Sequence, residues 1–183
     1  AARAALAGAL PGCPAGRAHC LAVQLHVTAI AGAPIATAAW LAVQLAAADR
    51  HFAPLSIGFE VIGVDALPPE ADHITGRADR DAIADGRLGG AELHVFIVGQ
   101  LDDIDDVGSV IRGVTWHLPG DGRKYVLVST VAPERTLAHE LGHVFGLPHS
   151  DYPISIMNKA ERASPPPAER TFADEELAVM RPA

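Results

Sequence analysis

His139-Glu140-Leu141-Gly142-His143-Val144-Phe145-Gly146-Leu147-Pro148-His149 is the stretch from which the rest of the chain can be read. It follows the pattern HExxHxxGxxH. His139 and His143 are four positions apart, so on a helix they lie on one face, one turn above the other. Two imidazoles placed this way reach one metal ion from the same side. Gly146 can adopt the left-handed conformation that stops a helix, and Pro148 just beyond opposes its resumption. The chain can then turn back and present His149 as a third ligand. Three protein nitrogens on zinc leave a fourth position for water, the arrangement of a catalytic site rather than a structural one. Glu140 follows the first ligand by about 100° of helix rotation, so it holds that water instead of binding the metal. Five fixed positions match by accident in a chain this short roughly once in ten thousand sequences or fewer.

The chain has 183 residues, room for one domain with a substantial core. Hydrophobic residues make up 49% and charged residues 20%, which excludes a disordered chain. Lys and Arg number 14 and Asp and Glu 22, a net charge of −8. That balance argues against nucleic acid or an anionic membrane as the main partner, and a monomer is expected. No stretch reaches the roughly 18 uninterrupted apolar residues of a membrane span. Position 1 is alanine, so the native start is expected to lie outside this sequence, which carries no signal peptide. Cys13 and Cys20 can close a small disulfide loop if the protein is exported, and no CxxC marks a second zinc site.

Residues 1–20 read as an N-terminal arm, with Pro11, Gly12, Pro14 and Gly16 opposing regular structure. Residues 21–183 read as a single catalytic domain, 21–148 its upper lobe and 149–183 its lower. Val23 to Thr28 alternates as a first strand. Pro34 suits a first helical position, and Ile35 to about His51 is a long, almost wholly apolar helix. Ser56 to Val64 is a second strand. Pro68 to Gly90 reads as a polar connection of little periodicity. Leu93 to Val98 is a strand buried on both faces. Gln100 to Ser109 is an acidic loop, Arg112 to Leu118 a short edge strand, Gly120 to Gly122 a turn and Tyr125 to Val131 another strand. Pro133 opens the helix that carries the histidines. Beyond His149 the chain is irregular, with the run Pro165-Pro166-Pro167. Thr171 and Asp174 then form a capping box for a last helix, Phe172 to about Arg181. This order predicts an α+β fold: a mixed twisted sheet of about five strands, two long helices, an active-site cleft, and a small irregular C-terminal lobe ending in a helix.

His139 to His149, followed by a methionine in Ser155-Ile156-Met157-Asn158, resembles the signature of the metzincin clan of zinc endopeptidases. In that clan a tight turn carrying methionine lies beneath the zinc, so the resemblance implies this role for Met157. On its own it reads as an ordinary core filler. Ser150, directly after the third histidine, and the seven-residue spacer from His149 to Met157 look like the matrixin (matrix metalloproteinase-like) branch. Lys159 stands where astacin-like and serralysin-like members carry a tyrosine ligand, so no fifth protein ligand is expected. Residues 68–92 lack the histidine and aspartate pattern that holds structural zinc in matrixins. Asp102, Asp103, Asp105 and Asp106 either offer oxygen ligands to a structural calcium or form a solvated loop. The resemblance also implies a secreted or extracytoplasmic protein.

The activity so implied is zinc-dependent endopeptidase action on extended peptide or protein substrates, with a zinc-bound water activated by Glu140 as general base. Substrate is expected to add a strand along the sheet edge, with Gly113, Val114, Thr115 and Trp116 as the candidate edge. Trp116 reads equally well as a packing residue. The S1′ side-chain pocket is expected between the histidine helix and Pro153 to Asn158, with Tyr152 and Ile154 as wall residues. Cys13 carries an alternative, because matrixin zymogens resemble this chain in having an N-terminal cysteine whose thiolate takes the open zinc position. Gly12-Cys13-Pro14 does not match their motif. The competing class is a catalytically silent or latent zinc-binding domain that acts as a protein-binding module. Retention of Glu140 argues against it, since a structural zinc has no use for a base.

Overall fold

The computed structural model describes residues 2–120, 122–160 and 164–181; Asp121, in the middle of the expected Gly120–Gly122 turn, lies outside them. Its helices are α1 (Ala2–Gly8), α2 (Ala38–Phe52), α3 (Arg77–Ala84), α4 (Thr136–Val144) and α5 (Asp174–Met180). Its strands are β1 (His19–Ile30), β2 (Ala33–Pro34), β3 (Ile57–Leu67), β4 (His73–Ile74), β5 (Leu93–Val98), β6 (Gln100–Asp102), β7 (Val110–Ile111), β8 (Gly113–His117) and β9 (Lys124–Ser129).

β1 is the spine of the main sheet. It pairs in parallel with β3 on one side and β5 on the other. β5 pairs in parallel with β9, and β9 pairs antiparallel with β8. The spatial order is therefore β3-β1-β5-β9-β8, with β2 folded back on the end of β1 and β8 at one edge. β4, β6 and β7 make a small second sheet. The alternation of β5 shows how both faces are covered. Val95 and Ile97 join Leu41, Leu45, Phe52, Leu137 and Leu141 beneath α2 and α4. Phe96 and Val98 join Ile83, Leu101, Tyr125 and Leu127 on the other side, with α3. A strand buried on both faces reads as one apolar run.

Several expectations are corrected. The N-terminal arm is not irregular throughout: α1 buries Leu6 in the main core, and Cys13 is joined to Cys20 at the start of β1. The disulfide takes up the Cys13 thiol, so it does not serve as a metal cap. The first long helix begins at Ala38. Pro34 pairs with Ala29 in the hairpin, and the Thr37 hydroxyl caps the helix by accepting the Trp40 N–H at 3.2 Å. The polar connection contains α3, and only α2, at 15 residues, is long, since α4 has nine.

Candidate active site

The start of α4 is held by a residue with no part in the chemistry. Gln44, buried on α2, donates through Nε2 to Ala132 O and Pro133 O and accepts the Leu137 N–H at 3.2 Å. The Leu137 N–H is one of the donors that a helix start leaves bare, and the two carbonyls tie the preceding turn to α2. At the far end, Gly146 takes φ +95, its N–H donates to His143 O, and the Leu147 N–H donates to Gly142 O. This is a Schellman termination, which turns the chain so that His149 comes back over the helix.

The three histidines converge. His139 Nδ1 lies 2.7 Å from Ile156 O, and His143 Nδ1 lies 2.7 Å from Leu147 O. A carbonyl only accepts, so both Nδ1 atoms carry the proton and both Nε2 atoms present lone pairs. His143 Nε2 lies 3.2 Å from His149 Nε2, and the ligand atoms of all three rings fall within 4.8 Å of one another. Two nitrogens bound tetrahedrally to one zinc stand about 3.3 Å apart, so this spacing fits that ion. Burial pushes His139 and His149 down to about 4 and lowers His143 as well. Each ring is held in the neutral form that binds metal.

Glu140 is 5% exposed, and burial raises its carboxyl to about 7, opposed by hydrogen bonds from Thr115. Thr115 Oγ1, on edge strand β8, lies 2.7 Å from Glu140 O and 3.0 Å from its Oε2. Met157 is fully buried under α4. A methyl group on Gly142 would meet its Sδ at 2.8 Å, so the helix approaches the methionine turn through a glycine. Glu176 on α5 locks that turn. It accepts the Ser150 hydroxyl at 2.6 Å, the Ser155 hydroxyl at 2.7 Å and the Ala173 N–H at 2.8 Å. Ser155 Oγ in turn accepts the Met157 N–H at 2.8 Å.

Gly113, Val114, Thr115 and Trp116 all lie in β8 and line the same cleft as the histidines and Glu140. Trp116 is a packing residue: its Nε1 donates to Asp81 and its ring stacks under Arg80. Tyr152 and Ile154 do not line the cleft. Thr171 N–H donates to Ile154 O, and the inner wall is Ile156, Asn158 and Lys159. Among the described residues the acidic run does not gather its oxygens into a calcium cage. Asp102 bonds His73 and Gln100, Asp103 accepts the Asp105 N–H, and Asp106 accepts the Ser109 hydroxyl. Gln44, Glu176 and Gly142 went unread in the sequence, and Gly113 was read only as part of the edge strand, not for its close approach to Thr136 and Glu140. Glu176 had a signal, a glutamate at the third position of a helix, which the capping box at Thr171 and Asp174 missed because Ala173 is the cap.

Sheet order, histidine helix and methionine turn together define a fold shared with zinc peptidases of the metzincin type. Archaemetzincin from Methanopyrus kandleri superposes with a TM-score of 0.57 at 19% identity, over 91% of this chain and 96% of that one. Metalloproteinase-II from Bacteroides fragilis gives 0.56 at 13% identity over 96% of this chain, which spans 59% of that protein. A zinc-dependent peptidase from Methanocorpusculum labreanum gives 0.51 at 14% identity, over 87% of this chain and 100% of that one. These likenesses establish the fold alone and do not single out the matrixin branch. No family model matches the sequence, and no curated protein matches it.

Proposed function

We propose that the protein is a zinc-dependent endopeptidase. The observation that carries this reading is the convergence of His139, His143 and His149 beside a buried Glu140 at a sheet edge. The names of the similar structures, a zinc-dependent peptidase and a metalloproteinase, support it. When bound, zinc supplies Lewis acidity and lowers the pKa of a water toward neutrality. Glu140 accepts the proton of the attacking water and passes it to the leaving amine, and its burial beside the histidines favours taking up that proton. Thr115 keeps that carboxylate turned toward the cleft. The free edge of β8 receives an extended chain by strand addition. The cleft, of about 1530 Å³, exceeds the usual 300 to 1,000 Å³ or so of small-molecule pockets, which favours an internal stretch of polypeptide as substrate.

The matrixin-like branch is our reading of Ser150 and the short spacer to Met157. The bond from Ser150 to Glu176 gives that serine a reason of its own in buttressing the turn. The Cys13–Cys20 disulfide fits an oxidising, extracytoplasmic compartment. No helix among the described residues is long and apolar enough to cross a membrane. The test is digestion of casein by the zinc-loaded chain. Chelation should abolish cleavage and added zinc restore it. Glu140→Gln should keep its zinc and lose about 100-fold or more in rate. Proteolysis that survives both treatments overturns the reading. A zinc-loaded protein inert on every unfolded substrate favours the binding module.

A further inference from the structure

We propose that His73, Gln100 and Asp102 form a second metal site, one that takes an octahedral divalent ion of the first transition row. It is built on the small sheet and stands whether or not the peptidase reading does. The strand pairing brings its three side chains together. β4 and β6 run parallel, with His73 opposite Gln100 and Ile74 opposite Leu101. Ile74 and Leu101 are buried in the core beneath that sheet. Side chains alternate along a strand, so His73, Gln100 and Asp102 share the other, outward face. The His73 and Asp102 side chains are 48% and 29% exposed there, open to an ion from solvent.

Three polar atoms meet on that face. His73 Nε2 lies 2.8 Å from Asp102 Oδ1, and Gln100 Nε2 lies 3.0 Å from His73 Nε2 and 2.8 Å from Asp102 Oδ1. Hydrogen bonds alone do not satisfy this triangle. An exposed aspartate is ionised at neutral pH and only accepts. With a proton on His73 Nε2, His73 donates to Asp102, and the Gln100 amide nitrogen then faces it donor to donor. Turning the amide over sets its oxygen against the carboxylate instead. With a lone pair on His73 Nε2, Gln100 donates to both neighbours, and the carboxylate then faces that lone pair. Every arrangement leaves one short contact between like groups.

A cation removes the conflict. With the amide turned to present Oε1, the ion receives an imidazole lone pair, a carboxylate oxygen and an amide oxygen. Donors about 2.1 Å from one ion and at right angles stand about 3.0 Å apart, so the triangle matches one face of an octahedron. Water fills the remaining positions. One imidazole beside two oxygens suits a first-row transition ion better than calcium, which takes about six to eight oxygens. Asp72 adds negative charge at the rim: a methyl group on Gly99, next to Gln100, would collide with its carboxylate. The ion would tie β4 to β6. Asp102 O already accepts from Arg80 on α3, and β6 pairs with β7, whose Val110 and Ile111 line the active-site cleft. The site therefore braces the cleft rim from behind.

Manganese is the probe, because a three-nitrogen site holds zinc more tightly and does not give it up to manganese. The full chain, loaded with zinc and dialysed, is titrated with Mn²⁺ while electron paramagnetic resonance counts the free ion. Wild type should take up one Mn²⁺ per chain, and pulsed measurement should show coupling to one imidazole nitrogen. His73→Gln should lose that coupling. His73→Gln and Asp102→Asn should each weaken binding by about 10-fold or more, and Gln100→Glu, which adds a charged ligand, should tighten it by about 10-fold. A hydrogen-bonded cluster with no ion gives none of these results. Mn²⁺ should also raise the urea midpoint of wild type and leave that of Asp102→Asn unchanged. No uptake by wild type overturns the inference, as does uptake that Asp102→Asn leaves intact or that shows no nitrogen coupling.

Discussion

A methyl group on Gly113 would meet Thr136 Cγ2 at 2.7 Å and Glu140 Cγ at 3.0 Å. The edge strand and the histidine helix thus touch through a hydrogen atom, and that closeness lets Thr115 reach the Glu140 carboxylate two residues further along β8. Gly113→Ala should push Glu140 off its position without touching a metal ligand. Zinc content should stay at one per chain while kcat/KM falls by about 10- to 100-fold. Unchanged turnover would mean that the carboxylate is placed by something other than this contact. Gly142 plays the matching part on the opposite side of the helix, against Met157 Sδ at 2.8 Å and Phe172 at 3.1 Å. Gly142→Ala overpacks a buried contact and should cost about 1–3 kcal/mol in urea unfolding.

At the scale of elements, the methionine turn is held from below by α5. Glu176 is the common acceptor for Ser150, Ser155 and the Ala173 N–H, and Ser155 passes the constraint on to Met157. The same turn supplies Ile156 O, which orients His139. Glu176→Ala leaves these donors without their acceptor and frees the carbonyl that aims a ligand. Competition with a chelator should show zinc affinity lower by about 10- to 100-fold, although Glu176 touches no metal ligand. Affinity equal to wild type would show that the turn holds without the buried carboxylate. This support was not legible in the sequence, whereas the ligands were, because the spacing of 139, 143 and 149 is a local property of one helix and its turn. Ser150 and Ser155 lie 26 and 21 residues before Glu176, and they meet it only in three dimensions. α3 was missed for a related reason. Its most buried long side chain is Arg80, a charged residue that donates to Asp102 O, while Tyr125 donates to its carbonyl. An apolar-period reading gives no weight to a helix anchored by an arginine. The strands of the main sheet were legible because burial on both faces makes them continuous apolar runs, and β8 because it is half-exposed at an edge.

Across the whole molecule the sheet separates two cores, and each holds a buried histidine that folding keeps neutral. His51 lies over the site side, edge-on to Phe172. His26 lies on the other face, stacked on Phe96 at 4.4 Å and 2% exposed. Its hydrogen bonding follows from one carbonyl. His94 Nε2 must donate to Gly89 O, so His94 Nδ1 accepts from His26 Nε2 at 3.0 Å. His26 Nδ1 is left buried as a lone pair with no hydrogen-bond partner, 3.8 Å from the exposed carboxylate of Asp65. Burial, then His94, then Arg87 push His26 down and Asp65 pushes it up, with a result of about 4; His51 is also pushed to about 4, chiefly by burial. Between pH 6.5 and 4 the unfolded chain takes up protons that these two rings refuse in the fold. Their contribution is therefore complete above about pH 6.5, is lost as pH falls toward 4, and changes no further below that. For His26 alone, moving from pH 8 to pH 5 should cost about 2 kcal/mol of unfolding free energy. Urea titrations of wild type and His26→Gln at the two pH values isolate this, because zinc release and His51 affect both proteins alike. Gln can still donate to His94, and it does not titrate. The variant should lose about 2 kcal/mol less than wild type over the same interval, and equal losses would mean that His26 is protonated in the fold, drawn to Asp65.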